Sequence, residues 1–470
     1  MTDAVPTDPP ARAERRLVRA LTLIPAAAVI LANIIGTGVF VKARVMTLNV
    51  GTPGMVLAVW LGAGLLTLTG ALVYAELSTM MPRSGGTFHF IGAAFGRRWA
   101  YMYGWTYSVA VGASVAAVAI LFVTFLNDLL GAAIPPWALK VLPLVVIAIA
   151  TGLNLGTVRS TGHIATALTS VKVALVLCVG VGAFLLADGS WAHFFQSGAE
   201  GVGEDVPESA RLGMSGFGAA MLGALWSYNG WAIITSLGGE VKQPSRTLPR
   251  AMVGGTLLVI ALYMLINTAY FYVLTPLEIA SLDPSSSVAN ATVRRFAGNT
   301  AAAVLSMGLV ISAYGTLHTT LLVGSRTPFA LARKGLLPAS LGIISARGVP
   351  ALAVLSIGAW GIALALTGTF DILTDIYVFV LWIFYGMTGS ALFVLRSRLP
   401  DVERPCRVWG YPVIPALFLM ITVFLLVNTF VATPGRALSG FLLVIAGLPV
   451  YAFYSRRLEP DDPSAWLGSE

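Results

Sequence analysis

The feature that most constrains this chain is a series of apolar segments, each about 20 residues long, that recurs from residue 22 to residue 455. In helical form, a segment of this length crosses the hydrocarbon core of a bilayer, which is roughly 30 Å thick. Charged residues make up only 11% of the chain, whereas a soluble domain has about a quarter. The alternating strands of a membrane barrel are not found. The sequence therefore predicts an all-α polytopic membrane protein.

Twelve transmembrane helices are predicted from the places where apolar runs give way to polar loops. The flanking residues 1–20 and 458–470 are predicted to be cytoplasmic tails, and the first tail is predicted to be disordered. The predicted spans are residues 22–41, 53–81, 98–127, 137–154, 163–187, 213–238, 249–274, 298–329, 350–367, 370–395, 411–433 and 437–455.

Lysine and arginine are distributed unevenly between alternate loops. Of the 29 basic residues, 21 lie in one set of loops and seven in the other, and Lys172 lies inside a span. The positive-inside rule places the richer set, and with it both termini, in the cytoplasm. Twelve spans also require both termini on one side. The net charge of +8 therefore indicates membrane topology, and we expect a lipid bilayer and no nucleic acid as partner.

The chain has no pattern typical of an enzyme or of a cofactor site. Cys178 and Cys406 are its only cysteines, and they form neither a CxxC metal motif nor a disulfide framework. No phosphate-binding glycine-rich loop, metal-ligand cluster or Ser/His/Asp set occurs in a suitable context. We therefore expect no cofactor, no metal ion and no enzymatic activity.

Two predicted spans are interrupted by small and polar residues. Residues 36–38 of the first span are Gly-Thr-Gly, and residues 227–230 of the sixth are Ser-Tyr-Asn-Gly. A glycine costs a helix about 1 kcal/mol relative to alanine, and backbone groups freed inside a bilayer need partners or a wet cavity. The two breaks predict such a cavity near the middle of the membrane. The alternative is that the glycines allow close helix packing.

The spacing of the breaks matches two inverted repeats of five spans, in which the first and sixth spans are equivalent. The repeats are predicted at residues 21–187 and 213–396, which together form a transporter core over 21–396, and residues 397–457 add two further helices. Free N–H groups at a half-helix N-terminus suit a carboxylate, and free carbonyls at the other end suit an ammonium. A zwitterionic amino acid carries one of each.

Lys172 lies about nine residues into the fifth span, near the middle of the bilayer by helix rise. A lysine at this depth costs roughly 2.5–3.5 kcal/mol, which makes it a functional candidate. Carbonyls of the broken first span are its predicted partners, together with hydroxyls of the eighth. It is predicted to act as an internal cation, or to carry a proton; the alternative is an inert snorkelling lysine. The candidate hydroxyls are Ser312, Thr316, Thr319 and Thr320.

Other polar and aromatic residues give weaker signals. His318 is either a proton relay or a hydrogen-bonded core histidine. Glu76 and Glu240 stand near cytoplasmic span ends, as inner-gate ion pairs or as solvated residues. Trp226 precedes the second break, where it either caps the cavity or packs as tryptophan commonly does in membranes.

These motifs resemble the amino acid–polyamine–organocation superfamily, and within it bacterial relatives of the L-type amino-acid transporters. The resemblance is collinear from about residue 20 to 455. It is carried by "NIIGTGVF", "YAELSTMMPRSGG", "LNLGTVRSTGHIATALTSVKVALVL", "LWSYNGWAIITSLGGEVKQPSRTLPRA", "LINTAYFYVLTP", "GSRTPFALARKGLLP", "ERPCRVWGYPVIP" and "GLPVYAFY".

The resemblance implies a LeuT-like fold, with a 5+5 inverted repeat and two C-terminal helices. It implies sodium-independent amino-acid transport by alternating access in a bacterial cytoplasmic membrane. Backbone N–H groups of Thr37 and Gly38 would bind the substrate carboxylate, and three carbonyls would bind its ammonium. The implied substrate-binding set is Ile34, Gly36, Thr37, Gly38, Trp226, Asn229, Gly230 and Trp382, with the ammonium on the carbonyls of Ile34, Trp226 and Asn229.

Three further assignments follow from the same resemblance. Trp226 falls at the aromatic outer gate, and Lys172 falls where related transporters hold a sodium ion. Asn229 stands where the L-type pattern has a glycine that leaves room for bulky side chains, which favours small substrates. The loop after the third span has no cysteine, so no disulfide-linked heavy chain is expected.

The sequence thus favours a transporter for small neutral amino acids, acting as an exchanger or as a proton-coupled permease. A cationic amino-acid or polyamine transporter is the alternative, although no acidic residue stands beside either break. A membrane amino-acid sensor or a channel on the same scaffold is an alternative of another class. A sensor would usually carry a sizeable soluble output domain.

Overall fold

A computed structural model describes most of the chain. The predictions for Thr37, for the N-terminal tail and for the side chain of Glu240 lie outside the described part, as does all of the C-terminal tail except Trp466. The described residues are 21–36, 38–83, 85–131, 133–156, 161–201, 206–284, 286–345, 347, 349–367, 370–456 and 466.

The described residues form helices joined by turns and loops, and the only extended pairing among them is a single bridge between Leu21 and Val241. The helices are α1 Leu23–Ile34, α2 Lys42–Val50, α3 Pro53–Met80, α4 Thr87–Phe95, α5 Arg97–Leu129, α6 Pro136–Asn154, α7 Thr161–Leu186, α8 Gly213–Ser227, α9 Pro244–Val273, α10 Pro276–Ala280, α11 Val288–Gly324, α12 Arg326–Arg333, α13 Ala351–Thr367, α14 Phe370–Arg398, α15 Val413–Ala432, α16 Pro434–Ile445 and α17 Gly447–Ser455.

Nine helical stretches within the described residues are long and apolar enough to cross a bilayer. They are α3, α5, α6, α7, α9, α11 with α12, α14, α15, and α16 with α17. Two shorter apolar helices, α1 and α13, accompany them. The prediction of an all-α polytopic membrane protein is therefore confirmed, and helical segments occupy the positions of the predicted spans.

The packing places the two interrupted spans at the centre of the helix bundle. The long helix α5 packs against α11 and α14, while α3 packs against α9, and α1 packs against both α7 and α9. Tyr74, Trp231 and Tyr385 form edge-to-face and tilted ring contacts that join α3, the segment after α8, and α14. Aromatic pairs of this kind add specific geometry to burial, so the helices around the breaks are held in register.

A buried ion cluster fixes one end of α3. Glu76 is fully buried, and its carboxylate accepts hydrogen bonds from Arg396 Nε at 2.8 Å and Nη2 at 2.6 Å. Arg404 Nε lies 3.5 Å from the same carboxylate, and the Val408 backbone N–H donates to it at 2.7 Å. Of the two interpretations of Glu76, the structure shows the ion pair. The cluster ties α3 to α14 and to the loop before α15.

Replacing Glu76 with glutamine is expected to lower the free energy of unfolding by roughly 3–5 kcal/mol, because breaking a buried pair leaves charge uncompensated. Thermal unfolding of the protein in detergent measures the loss. Glu278→Gln is the matched control, since Glu278 pairs with Arg295 at 3.8 Å on the exposed surface. That pair should contribute under about 1 kcal/mol. Equal melting temperatures for the two variants would contradict the assignment.

Candidate functional site

Both predicted helix breaks are present. In the first span, α1 ends at Ile34, the Gly36 N–H turns back to the Ile34 carbonyl at 2.6 Å, and the chain resumes as a short 3-10 turn at Gly38–Phe40 before α2. In the sixth span, α8 ends at Ser227, and short 3-10 turns at Ile233–Ser236 and Gly238–Glu240 follow. Each break leaves backbone groups without helical partners.

The two breaks face each other closely. A Cβ added at Gly38 would lie 2.7 Å from the Trp226 ring, so only glycine fits beside that ring. Gly230 has φ +115°, a conformation that favours glycine, and a Cβ there would lie 2.7 Å from the Asn33 side chain. The glycines in these motifs therefore permit a close approach of two irregular segments.

Tyr263 of α9 bridges the two breaks. Its hydroxyl oxygen lies 2.8 Å from the Ile34 carbonyl oxygen and 2.9 Å from the Ser227 carbonyl oxygen. The Ile34 carbonyl, predicted to accept the substrate ammonium, thus already has Tyr263 and the Gly36 N–H as neighbours. A buried carbonyl at a helix end needs such a donor, and the sequence reasoning missed Tyr263 because it is distant in the chain.

A cavity, called the central cavity here, lies between the breaks and is walled by α5, α11 and α14. Of the predicted substrate-binding residues in the described part, all but Trp382 line it. Its lining is Asn33, Ile34, Gly36, Gly38, Thr87, Tyr103, Tyr107, Val111, Ser114, Val118, Trp226, Ser227, Asn229, Gly230, Ala232, Ile233, Ser236, Thr316, Thr320, Val323, Tyr377 and Tyr385.

Trp382 lies on another face of α14. Its ring packs 5.9 Å from Phe418 of α15 and 5.7 Å from Tyr385. The residues of α14 that line the cavity are instead Tyr377 and Tyr385, whose directions differ by about 80° around the helix axis. Trp382, five residues after Tyr377, is rotated by about 140° from it. Trp382 therefore lies on α14 but not among the described residues that line the central cavity, and its part in substrate binding stays a prediction.

Asn229 is fixed by these two tyrosines. Its side-chain amide donates to the Tyr377 hydroxyl at 2.8 Å and accepts from the Tyr385 hydroxyl at 3.1 Å. The amide therefore joins the second break to α14 and occupies one wall of the central cavity. The L-type pattern has a glycine at this position. Here the position carries the Asn229 side chain, whose amide nitrogen and oxygen are both hydrogen-bonded.

Lys172 of α7 lies beside the end of α1, next to the first break, and its side chain is 2% exposed. Its ammonium donates to the Ala32 carbonyl at 2.9 Å and to the Thr316 hydroxyl at 2.8 Å. Ala32 belongs to the last turn of α1, and its carbonyl has no helical donor because the Gly36 N–H turns back to the Ile34 carbonyl instead. Thr316 also lines the central cavity, so Lys172 connects α7, the broken first span and the cavity wall.

His318 is hydrogen-bonded and stands outside the central cavity. Its Nδ1 lies 2.9 Å from the side-chain amide nitrogen of Asn154, and its ring stacks near that of Tyr314. The structure thus shows the hydrogen-bonded histidine, and a proton-relay role remains a prediction.

The described lining of the central cavity contains no charged side chain. The described residues also contain no group of three or more His, Cys, Asp or Glu side chains able to hold a metal ion. The polar chemistry of the cavity comes from backbone groups at the breaks, hydroxyls and one amide. Such a lining suits a small solute of zero net charge that carries one anionic and one cationic group, each able to bind backbone groups at a helix break.

A cavity between two interrupted helices of a polytopic helical protein is the arrangement of many membrane transport proteins for small solutes. The model of the amino acid permease family matches residues 21–453, so the chain belongs to this family of amino-acid transporters. The resemblance drawn from the sequence motifs is confirmed.

Three relatives illustrate the family. The serine/threonine exchanger SteT of Bacillus subtilis is 30% identical over 94% of this chain and 98% of its own length. The b(0,+)-type amino acid transporter 1 of Rattus norvegicus is 30% identical over 93% of this chain and 88% of its own. The human cystine/glutamate transporter is 29% identical over 95% of this chain and 87% of its own.

Proposed function

We propose that this protein is a sodium-independent transporter for small neutral amino acids, working by alternating access as an exchanger or a proton-coupled permease. We further propose a LeuT-like 5+5 inverted repeat with two additional helices, in the bacterial cytoplasmic membrane with both termini in the cytoplasm. The observation that carries the proposal is the uncharged central cavity between two helix breaks.

The carboxylate and the ammonium of the substrate would bind different backbone groups, N–H donors for the first and carbonyl acceptors for the second. The carboxylate would bind the N–H groups of Thr37 and Gly38. Gly38 opens the short 3-10 turn that follows the first break, and free N–H groups at the start of a helical turn suit an anion. The ammonium would bind carbonyls at the ends of the broken helices, at Trp226, Asn229 and Ile34. Trp226, which lines the cavity, would act as the gate over the bound substrate.

Sodium independence is supported by Lys172. Its ammonium contacts the carbonyl end of α1 and a hydroxyl of α11, which are the ligand types that a sodium ion would use. A fixed ammonium therefore supplies the positive charge from within the chain.

Small substrate size is supported by Asn229 and its two tyrosine partners, which fill one wall of the cavity. Since one relative is a serine/threonine exchanger, serine and threonine are the first substrates to test. A cationic amino acid or polyamine would need a second negative partner, and no acidic side chain appears among the described lining residues. A sensor function has no observation in its favour.

Competition for radiolabelled serine uptake into proteoliposomes tests the substrate class. Unlabelled serine, threonine and alanine should each suppress most of the uptake, whereas arginine, agmatine and putrescine should have little effect. If arginine or an amine proved the strongest competitor, the proposed substrate class would be wrong.

Replacing Asn229 with glycine is expected to admit larger substrates. The change empties the wall between Tyr377 and Tyr385, so leucine and phenylalanine should compete several-fold better, while serine competes less well. The loss or gain of the contacts of a single methylene group in a pocket changes substrate selectivity by roughly 10-fold or more. Tyr385→Phe is the control, because it removes one hydrogen bond without enlarging the cavity. The same gain for leucine in both variants would contradict a steric role for Asn229.

A further inference from the structure

A second cavity lies between α2, the middle of α8, and the neighbouring ends of α14, α15 and α16. Lys42 of α2 lines this second cavity, while Trp226 lines the central one. The second cavity is lined by Lys42, Val45, Met46, Asn49, Val206, Pro207, Ala210, Ala219, Ala220, Leu222, Gly223, Asp375, Asn428, Thr429, Thr433 and Arg436.

Lys42 and Trp226 are in contact across the boundary between the two cavities. The Lys42 ammonium lies 6.0 Å from the centroid of the Trp226 ring, at the outer limit of a cation–π contact. The lysine stem runs beside Gly223, one turn before Trp226, where an added Cβ would lie 3.4 Å from Lys42 Cδ. Lys42 therefore follows the surface of α8 up to the ring.

The ammonium also reaches α14. It donates a hydrogen bond to the Thr374 hydroxyl at 3.1 Å, and the whole side chain is only 2% exposed. Lysine is seldom this buried unless its charge has partners. The wall of the second cavity also carries Asp375 and Arg436, which form an ion pair at 2.5 Å. Lys42 thus joins three elements: its own α2, the gate end of α8, and α14.

We propose that Lys42 is the latch of the gate, a positioning residue that keeps Trp226 over the central cavity and ties α2 to α14. The proposal rests on the proposed function in two respects, the assignment of Trp226 as the gate and the topology that places the second cavity on the extracellular side. For the gate to open toward the second cavity, the Lys42 ammonium then has to lose its hydrogen bond to Thr374 and its contact with the Trp226 ring at the same time. Removing the charge favours that open state.

Cysteine labelling tests the latch without any substrate. Ser114 lines the central cavity, so Ser114→Cys, in a background with Cys178→Ala and Cys406→Ala, reports access to it. A membrane-impermeant thiol reagent is applied to intact cells and to inside-out vesicles. In intact cells, Lys42→Met should speed labelling about five- to tenfold, the scale of a desolvated cation–aromatic contact. In inside-out vesicles, labelling should not accelerate.

Two further variants keep the test decisive. Thr374→Val removes only the acceptor, and it should speed labelling about two- to threefold, as expected for one hydrogen bond. Lys140→Met, which alters an exposed lysine on α6, should leave labelling unchanged. Should Lys42→Met fail to fold, Thr374→Val decides alone.

The latch is overturned by unchanged labelling in the folded variants, or by equal acceleration from both membrane sides, which would mean general loosening. Because labelling needs no amino acid, a latch result stands even if no amino acid is transported. Conversely, wild-type transport with unchanged labelling in the variants would remove the latch and leave the proposed function intact.

Discussion

Lys172→Met is expected to reduce amino-acid exchange at least about 30-fold, because two part-buried acceptors lose their donor at roughly 1–3 kcal/mol each. Methionine keeps the length and the apolar stem of the lysine but cannot donate to the Ala32 carbonyl or to Thr316. The end of α1 would then lose its link to α7 and α11, and with it the geometry of the first break. Initial exchange rates in proteoliposomes, per amount of inserted protein, measure the effect.

Lys140→Met is the matched control for this change, since Lys140 is exposed on α6 and should tolerate methionine. A second readout separates charge from packing. If Lys172 stands in for a bound cation, adding sodium should restore part of the exchange in Lys172→Met but change nothing in the wild type. Wild-type rates in Lys172→Met would show that the lysine has no role in transport.

Gly38→Val is expected to abolish substrate binding, with affinity lowered more than about 100-fold. The new side chain would have to occupy the space of the Trp226 ring, which lies 2.7 Å from the position of a Cβ. It would therefore displace the gate and move the backbone N–H groups proposed for the carboxylate. Equilibrium binding of labelled serine to the purified protein measures the loss.

Gly254→Val is the control, because a Cβ at this α9 position meets no atom within 4 Å. Thr37→Ser should be mild, since the backbone N–H rather than the hydroxyl is proposed to bind. Retained serine affinity in Gly38→Val, in a folded protein, would contradict the placement of the carboxylate at the first break.

The helical architecture and the breaks were predictable because both rest on local signals. Apolar segment length defines a span, and a glycine–threonine–glycine or asparagine–glycine cluster interrupts one. The kinds of hydrogen-bond partner that Lys172 has were also predictable, since a lone cation in the middle of the membrane needs carbonyl and hydroxyl acceptors. Of the four hydroxyls suggested for it, the structure shows Thr316 as its hydrogen-bond partner.

The long-range polar contacts were not predictable in the same way. Tyr263 reaches the carbonyls of both breaks from α9, and nothing in its local sequence marks it. The sequence could not decide which way Trp382 faces, because an aromatic residue on α14 can meet either the central cavity or α15. Only the position of α14 against α15 decides that Trp382 meets Phe418 while Tyr377 and Tyr385 meet Asn229.

The central claim, that the cavity between the two breaks carries amino acids across the membrane without sodium, is tested most directly by counterflow. Proteoliposomes loaded with unlabelled serine are diluted into a trace of labelled serine, with choline replacing all sodium. We predict a transient accumulation of label above its equilibrium level, unchanged when sodium is restored. No accumulation with any amino acid tried, or accumulation only in the presence of sodium, would contradict the account.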